Sequence, residues 1–580
     1  MIKKLLVITI FFTTIFSQVD ISNQLSVRHG ASNIKISDII FKDGPYDDFD
    51  YNEIYLDTRL SLNRENYRFE SLFTFELSDP PEIGLNLSGL DRYLFGFYND
   101  SFSIELGDVY QTWGRGLLLN QLNYQNLDFD SGSRGLGMQF QNEFRTINII
   151  MGDTEGRKST TDLGNYDPRV PNYFVNQFIY GADLNTSILN SDLGAAFLLV
   201  SEKDRSLSHT LTNFRLERVH NSGEFFMSII SKLSKKDSKQ SDIYYPEKDG
   251  IGIYISETSY FKDWVITSSY RNFKIDINDP SLRNSNVDNY GQALDIQRSP
   301  TGFYQHTFRL LSRKSREVNL NDEVGIEVQL LNPISDKANI AINYMKSSST
   351  KEWHNGTGLH MNNWSSTNNA MPSSTYESYP FEELFIELSG YNNDGDIFYK
   401  VGLDAQNEVF NVMSNSHQIK SFEIAESVTL PFLINFSINP LWNIEMQLEL
   451  QRLKTGFDTS IISDGSEIEN SYAFTSLLSE EFQKNLFLSL SAQFNQKWSF
   501  NLSHESTNSD ESLTNNGENE FFDSSNEWNS GSVSYKFDSD HTLEIFYGSI
   551  RGGLDCTNGV CRYLQAFDEG IRIDYSRNLD

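Results

Sequence analysis

Ten consecutive residues, 442–451, alternate between apolar and polar side chains without interruption. Successive side chains of a β-strand point to opposite faces, so Trp442, Met446 and Leu450 share one face, while Glu445 and Glu449 share the other. Similar alternation recurs in about two dozen short segments along the chain, and it predicts strands that are apolar on one side and polar on the other. A strand of this type suits a wall between lipid and water.

The start of the chain predicts export from the cytoplasm. Lys3 and Lys4 precede an apolar run over residues 5–16, and Ser17 precedes the first acidic residues. This pattern is typical of a secretory signal peptide, which we predict over residues 1–17 with cleavage near Ser17. The apolar run is too short for a membrane-spanning helix, and no later stretch approaches the roughly 20 apolar residues that such a helix needs.

The 580 residues contain no Pro/Gly/Ser-rich linker and no helical half. We therefore predict an all-β fold, a single transmembrane antiparallel β-barrel over residues 51–580, which follows a short N-terminal periplasmic segment over residues 18–50. The pattern gives about 24 strands, with roughly 22 to 26 as the range. Short turns tend to alternate with long loops, as in outer-membrane barrels with short periplasmic turns and long extracellular loops. A soluble sandwich or solenoid also alternates, but it explains neither the export signal nor the unequal loops.

Composition and charge restrict the partners. Mean hydropathy is low, at -0.44, as expected where half of every strand is polar. The formal charge of -32 excludes nucleic acid as a partner, because phosphate would be repelled. The expected partners are outer-membrane lipid, periplasmic chaperones and the barrel-assembly machinery. Since residues 18–50 are too few for a folded plug, any filling of the lumen is expected to come from loops that fold inward.

The most distinctive motif lies at residues 108–117, where a predicted strand ends and two glycines flank Arg115. Glycine permits positive φ, and the planar guanidinium can pair with a wall carboxylate or hold an anionic ligand. An acidic link to residue 134 follows. We predict that these two segments form a lumen constriction, or else a rim loop locked by an internal ion pair. The candidate residues are Asp108, Trp113, Arg115, Asp128, Asp130 and Arg134.

These motifs, with the run 552–562 near the C-terminus, resemble those of an uncharacterised family of large outer-membrane barrel proteins (a domain of unknown function) from Bacteroidota and related bacteria. The resemblance extends over nearly the whole chain. It implies a barrel in a membrane and no particular reaction.

Cys556 and Cys561 are the only cysteines of the chain. In an exported protein, two thiols at this spacing predict a disulfide, here in the loop before the last strand. Metal binding is the alternative, but further ligands are missing nearby.

No nucleophile motif, phosphate-binding loop or zinc motif is recognisable, so we predict no enzyme activity, no catalytic residues, no metal site and no cofactor. Two functions remain. The first is a polar-lined, porin-like channel for small solutes, and the second is a surface interaction or secretion-accessory protein that uses the barrel to anchor its outer loops.

Overall fold

The computed structural model describes residues 19–32, 50–124, 129–158, 171–236, 247–276, 291–300, 306–313, 316, 318–355, 364–416, 419–461, 483–508, 526–557, 560–564 and 567–579. In these residues, 24 antiparallel strands form one sheet that closes on itself. We number them β1 to β24 in chain order. Their bounds are Val19–Ala31, Tyr51–Arg64, Tyr67–Ser78, Leu87–Tyr98, Phe102–Val109, Ser133–Gln141, Arg145–Lys158, Tyr173–Ile188, Ser191–Glu202, Leu207–His220, Gly223–Lys236, Lys248–Phe261, Trp264–Lys274, Glu323–Ser335, Ala338–Ser348, Phe381–Tyr391, Ile397–Ser416, Ile419–Asn439, Trp442–Ile461, Gln483–Phe494, Trp498–Thr507, Glu527–Asp538, His541–Ile550 and Phe567–Leu579. The predicted fold class and strand number are confirmed.

Each strand pairs with its neighbours in the chain, and β1 pairs with β24 to close the ring. Within the described residues, closure leaves this 24-stranded sheet without an edge strand. The first strand lies inside the segment that the sequence assigned to the periplasm, so the predicted barrel boundary at Tyr51 is corrected to Val19. The alternation of β1 was hard to recognise because Asn23 occupies an outward position between Ile21 and Leu25.

The two ends of the barrel differ in loop length. At the short-turn end, all connections between described strands contain two to five residues. At the long-loop end most connections are much longer, up to the 48 residues between β13 and β14. Two connections at that end, 203–206 and 417–418, are also short. These two short connections explain why the alternation of short turns and long loops is only a tendency in the sequence.

The outer face of the barrel is apolar. On β19, Met446 and Leu450 point outward and are exposed, and they pair with the outward residues Leu490 and Leu486 of β20. Phe214 on β10 and Leu502 on β21 are 64% and 62% exposed. A continuous apolar band of this kind would be costly in water and suits the hydrocarbon of a bilayer.

Aromatic side chains collect at the short-turn end of this band. Trp442 and Phe494 approach with ring centroids 4.7 Å apart, and Trp498 and Tyr535 with centroids 4.4 Å apart. Other members of this set are Tyr67, Phe69, Phe97, Phe102, Phe140 and Phe537. Rings at the ends of an apolar band form the girdle that anchors a barrel at the membrane surface. In the described part of the chain, no helix has the length and apolar character needed to cross a membrane.

Candidate functional site

Between β5 and β6, the described residues 110–124 and 129–132 include a segment that folds into the barrel, and we call these described residues inner loop 1. Its tip is a turn over Gly114–Gly116, and Thr112 and Trp113 pair with Asn120 and Leu119 on either side of it. All three tip residues have positive φ, including Arg115 at φ 52°. A Cβ on Gly114 would lie 2.9 Å from Oδ1 of Asn213 on the barrel wall, so glycine is required there for close approach.

Inner loop 1 is held by an apolar cluster inside the barrel. Leu117, Leu118 and Leu119 have no exposed surface. The cluster contains 19 buried residues, most of them inward-facing side chains of β7 to β13 such as Ile150 and Phe226. Burial on this scale fixes the loop against one side of the wall. This side of the lumen is therefore a packed core and not a water-lined surface.

Between β13 and β14, the described residues 275–276, 291–300, 306–313, 316 and 318–322 include parts that also pack inside the barrel, and we call these described residues inner loop 2. Its part 291–300 packs on inner loop 1, since Asn120 donates its N–H to the Ile296 carbonyl at 2.7 Å and Arg298 donates its N–H to the Gly116 carbonyl at 3.0 Å. Lys232 on β11, which is 1% exposed, donates to the Gly291 carbonyl at 3.0 Å. The two loops form one body, which we call the plug.

A later part of inner loop 2 contacts a second region of the barrel wall. Residues 306–313, the crossing segment, contain a short helix over Arg309–Ser312. The backbone N–H groups of Arg309 and Leu310 donate to the Glu449 carboxylate at 2.7 and 2.8 Å. Glu449 lies on β19, eight strands from Lys232 in a ring of 24. The described parts of inner loop 2 therefore contact the barrel wall at two places that are eight strands apart, at Lys232 and at Glu449.

Three arginines surround a single wall carboxylate beside this contact. Glu505 on β21, 5% exposed at its side chain, pairs with Arg313, with Arg551 at 3.0 Å and with Arg309 at 3.7 Å. Arg551, in the loop after β23, has its pKa lowered to about 10 by burial and then by the neighbouring Arg313. Glu505 is the acceptor that these cations share, so its charge contributes to holding the crossing segment.

Below the plug, toward the short-turn end, the lumen is lined by polar side chains that solvent can reach. On β20 and β21, Gln493 and Asn501 are exposed and Ser491 is partly exposed. The inward residues nearer the long loops, Phe487 and Glu505, are buried. On this part of the wall, the inner surface near the short turns is therefore polar and solvent-accessible, and we call this region the vestibule, whereas the inner surface at the level of the plug is buried.

The structure places Arg115 inside the lumen, as the constriction prediction required. Its Nη2 donates to Glu217 at 2.9 Å and to Glu224 at 2.5 Å, and its guanidinium lies 3.9 Å from the ring centroid of Phe226. The partners are wall carboxylates of β10 and β11 and not Asp108. Arg115 is therefore an internally paired arginine. Its ion pairs lie on the vestibule side of the plug and not at the rim. Trp113 is 2% exposed and is buried in the plug.

Asp108 and Arg134 do not line the lumen, and for this pair the predicted constriction is corrected. They are opposite each other on β5 and β6, and Arg134 Nε donates to Asp108 Oδ1 at 3.0 Å. Both share a strand face with the lipid-facing residues Leu106 and Leu136. The alternation along these strands puts their side chains outside the barrel wall at the long-loop end.

Asp108 and Arg134 belong instead to a rim cleft of about 540 Å³ at the long-loop end. Asp130 also lines this cleft and accepts hydrogen bonds from the Tyr110 hydroxyl at 2.9 Å and from the Gly132 N–H at 2.7 Å. Burial, and then the Asp130 carboxylate, raise the pKa of Tyr110, which keeps its hydroxyl a donor. Asp128 lies outside the described residues. The other charged lining residues are Asp91, Arg92, Asp153, Glu155, Arg157, Lys203 and Asp204.

The two cysteines face each other across a short strand pair, Gly553–Thr557 with Val560–Leu564. Their side chains are outside what the structure describes, so the disulfide stays a prediction.

Sequence reasoning missed the contacts that hold the plug. Glu449 is part of the opening alternation and was correctly placed on the inner face, but nothing in the pattern shows which loop it meets. Arg309 and Arg313 lie 140 and 192 residues before their acceptors Glu449 and Glu505. His306 of the crossing segment likewise lies close to Glu383 and Asp404 of the wall. One imidazole nitrogen and one oxygen of each carboxylate lie within 4.8 Å of one another. Spacing along the chain carries no signal for such groups.

Several solved structures show overall similarity at low sequence identity. An unliganded ferric citrate transporter, FecA, is 9% identical over 97% of this chain and 79% of its own, with a TM-score of 0.41. The translocation pore of the P pilus usher PapC is 9% identical over 97% of this chain and 99% of its own, with a TM-score of 0.38. OccK3 (OpdO) of Pseudomonas aeruginosa is 8% identical over 77% of this chain and 96% of its own, with a TM-score of 0.35. At these TM-scores the similarities carry no information on function.

No curated protein matches this sequence. A family model matches residues 2–579, almost the whole chain. The chain belongs to a family of unknown function (DUF6029).

Proposed function

We propose that this protein is a bacterial outer-membrane channel for small polar solutes, and that the plug closes its lumen until the crossing segment moves. The apolar outer band and the aromatic girdle support a place in a membrane. The barrel type and the export signal that the sequence predicts favour the outer membrane, with the short turns in the periplasm and the long loops outside.

The observation that carries the proposal is the unequal attachment of the plug. On the side of β7 to β13, the plug shares a buried apolar cluster of 19 residues with the wall. The crossing segment shares a cluster of only three, formed by Phe308, Leu311 and Phe385. Its polar contacts include hydrogen bonds to Glu449, ion pairs to Glu505 and the contact of His306 with Glu383, and water can replace such contacts. The crossing segment can therefore detach while the rest of the plug stays in place.

A path for solutes would open beside β18 to β21. The inward residues of this wall are mostly polar, including Thr429, Gln451 and Asn485 at the level of the plug and Ser491 and Asn501 in the vestibule. Water and small polar solutes would find hydrogen-bonding partners along this wall. Along this wall the inward polar side chains are buried at the level of the plug and at least partly solvent-exposed in the vestibule. A barrel that served only as an anchor would not need a polar inner wall of this kind.

Single-channel recording in planar bilayers tests the proposal. We expect brief, infrequent openings from the unmodified protein and longer or more frequent openings from Glu505→Gln and Glu449→Gln, which weaken the attachment of the crossing segment. Glu445→Gln is the matched control, because Glu445 lies on the same strand and face as Glu449 but bonds Asn435 and not the plug. If folded, inserted protein conducts in none of these forms, the channel proposal is wrong.

The rim cleft favours the second candidate function, a surface interaction protein. Its mixed charges, which include Arg134, Arg157, Asp153 and Asp204, could bind polar or charged groups of a surface ligand such as a glycan. Binding of the purified protein to arrays of bacterial and host glycans tests it. Loss of a glycan signal in Arg134→Ala, together with the absence of conductance in all forms, would favour this function over a channel.

A further inference from the structure

A histidine of the plug and two carboxylates of the wall meet at the long-loop half of the barrel. His306 is the first described residue of the crossing segment, Glu383 is on β16 and Asp404 is on β17. His306 Nε2 lies 2.8 Å from Glu383 Oε1. One imidazole nitrogen of His306 and one carboxylate oxygen each of Glu383 and Asp404 all lie within 4.8 Å of one another.

The surroundings hold these side chains in place. The imidazole of His306 stands edge-on to the ring of Phe385, with centroids 4.7 Å apart and an interplanar angle of 83°. Phe385 is fully buried and lies directly opposite Asp404 in the pairing of β16 with β17. The site is therefore assembled from a rigid wall and one loop side chain.

Asp404 is the most buried of the three residues. It is 1% exposed, and its Oδ1 accepts no hydrogen bond from any described residue. Neither Asp404 nor Glu383 forms an ion pair with a lysine or arginine in the described part of the chain. A buried carboxylate and a partly buried one at this separation repel each other unless a cation or a shared proton lies between them.

We propose that His306, Glu383 and Asp404 bind a divalent transition-metal ion of the Zn²⁺ or Mn²⁺ type. One imidazole nitrogen and two carboxylate oxygens suit these ions, and two carboxylates neutralise the charge of the ion. Ligand atoms around one such ion at about 2.1 Å lie at most about 4.2 Å apart, so a small closure of the group brings all three into range. Water would complete the coordination.

The bound ion would join the plug to the wall, because one ligand belongs to the crossing segment and two belong to strands. It would therefore hold the crossing segment closed, and this consequence rests on the proposed channel function. The binding of the ion does not rest on it.

Metal binding to the purified, detergent-solubilised protein tests the site directly. After EDTA treatment and buffer exchange, we measure bound metal by elemental analysis and affinity by calorimetry with Zn²⁺, Mn²⁺ and Ca²⁺. We expect one Zn²⁺ per chain, weaker binding of Mn²⁺ and no binding of Ca²⁺. His306→Ala and Asp404→Asn should each weaken Zn²⁺ binding by about 100-fold or more.

His220→Ala is the matched control, because His220 pairs with a single carboxylate, Glu257, at the short-turn end. It should leave Zn²⁺ binding unchanged. Failure of the unmodified protein to retain Zn²⁺ or Mn²⁺, or equal binding by His306→Ala, would overturn the site and favour a shared proton. Heat-modifiable migration on gels confirms that each variant is folded.

Two readouts keep this inference separate from the channel proposal. Hydrogen exchange of residues 306–313 should slow when Zn²⁺ is added, and single-channel openings should become rarer. Binding with slowed exchange but without conductance in any form keeps the site and rejects the channel. Conductance without metal binding keeps the channel and rejects the site.

Discussion

Replacement of Glu505 by glutamine should release the crossing segment without unfolding the barrel. The Glu505 carboxylate is 5% exposed and accepts from Arg313 and from Arg551 at 3.0 Å, with Arg309 at 3.7 Å. Removal of one partner from a buried ion pair costs about 3 to 5 kcal/mol. Glutamine keeps the shape and one acceptor oxygen, so we take a cost of about 3 kcal/mol, which corresponds to roughly a 100-fold change in an equilibrium constant.

Hydrogen exchange measured by mass spectrometry on the solubilised protein reads this equilibrium directly. Glu505→Gln should speed the exchange of residues 306–313 by about 100-fold, while residues 117–119 in the apolar cluster keep their protection. Glu445→Gln, at an inward-facing position of β19 that does not contact the plug, should leave hydrogen exchange in both regions unchanged. A change below about threefold in residues 306–313, or equal loss of protection in residues 117–119, would refute the idea that charge holds a separately movable segment.

Three further predictions follow from other parts of the molecule. Leu118→Ala leaves a cavity in the apolar cluster and should lower stability by about 2 to 5 kcal/mol, seen as loss of heat-resistant migration at lower temperature; no such drop is expected for the lipid-facing control Leu490→Ala. Arg115→Ala leaves Glu217 and Glu224 uncompensated at the vestibule and should shift the reversal potential in a salt gradient toward cation selectivity, whereas an unchanged potential would exclude Arg115 from the pathway. The hydroxyl of Ser373, followed by that of Thr375, lowers the pKa of Glu352 from its ordinary 4.5, so this carboxylate favours the ordered loop above that value. The contribution is lost as the pH falls below 4.5 through the lowered pKa, and exchange of residues 348–381, corrected for intrinsic rates, should rise there in the unmodified protein but not in Glu352→Gln.

The fold could be predicted because lipid on one side and water on the other impose a period of two on every strand. The run 442–451 has the predicted faces, since Met446 points outward and Glu449 inward. The same period of two places Asp108 outside the barrel wall, because Asp108 shares a strand face with the lipid-facing Leu106. The predicted lumen position of Asp108 and Arg134 was wrong because it followed from the motif around Arg115 and did not take into account the alternation of β5 and β6.

The plug could be predicted only in part. Two glycines around Arg115 indicated close backbone approach, and the loop tip does meet the wall at Asn213. The sequence left open whether the lumen is filled and indicated only that loops would have to fill it, and described parts of two loops do lie inside the barrel. The long loop 275–322 carried no comparable signal, because its contacts to Glu449 and Glu505 join residues far apart in the chain. Such contacts depend on the course of a loop through the lumen, which local pattern does not encode.

A reversible lock on the crossing segment tests the central claim most directly. Leu311 and Phe385 share an apolar cluster, and cysteines at these two positions, in a background with Cys556→Ser and Cys561→Ser, would tie the segment to β16 through a disulfide or a short cleavable crosslinker. The account predicts that the locked protein does not conduct and that reductant restores openings. Conductance that is the same before and after cleavage of the lock would contradict it.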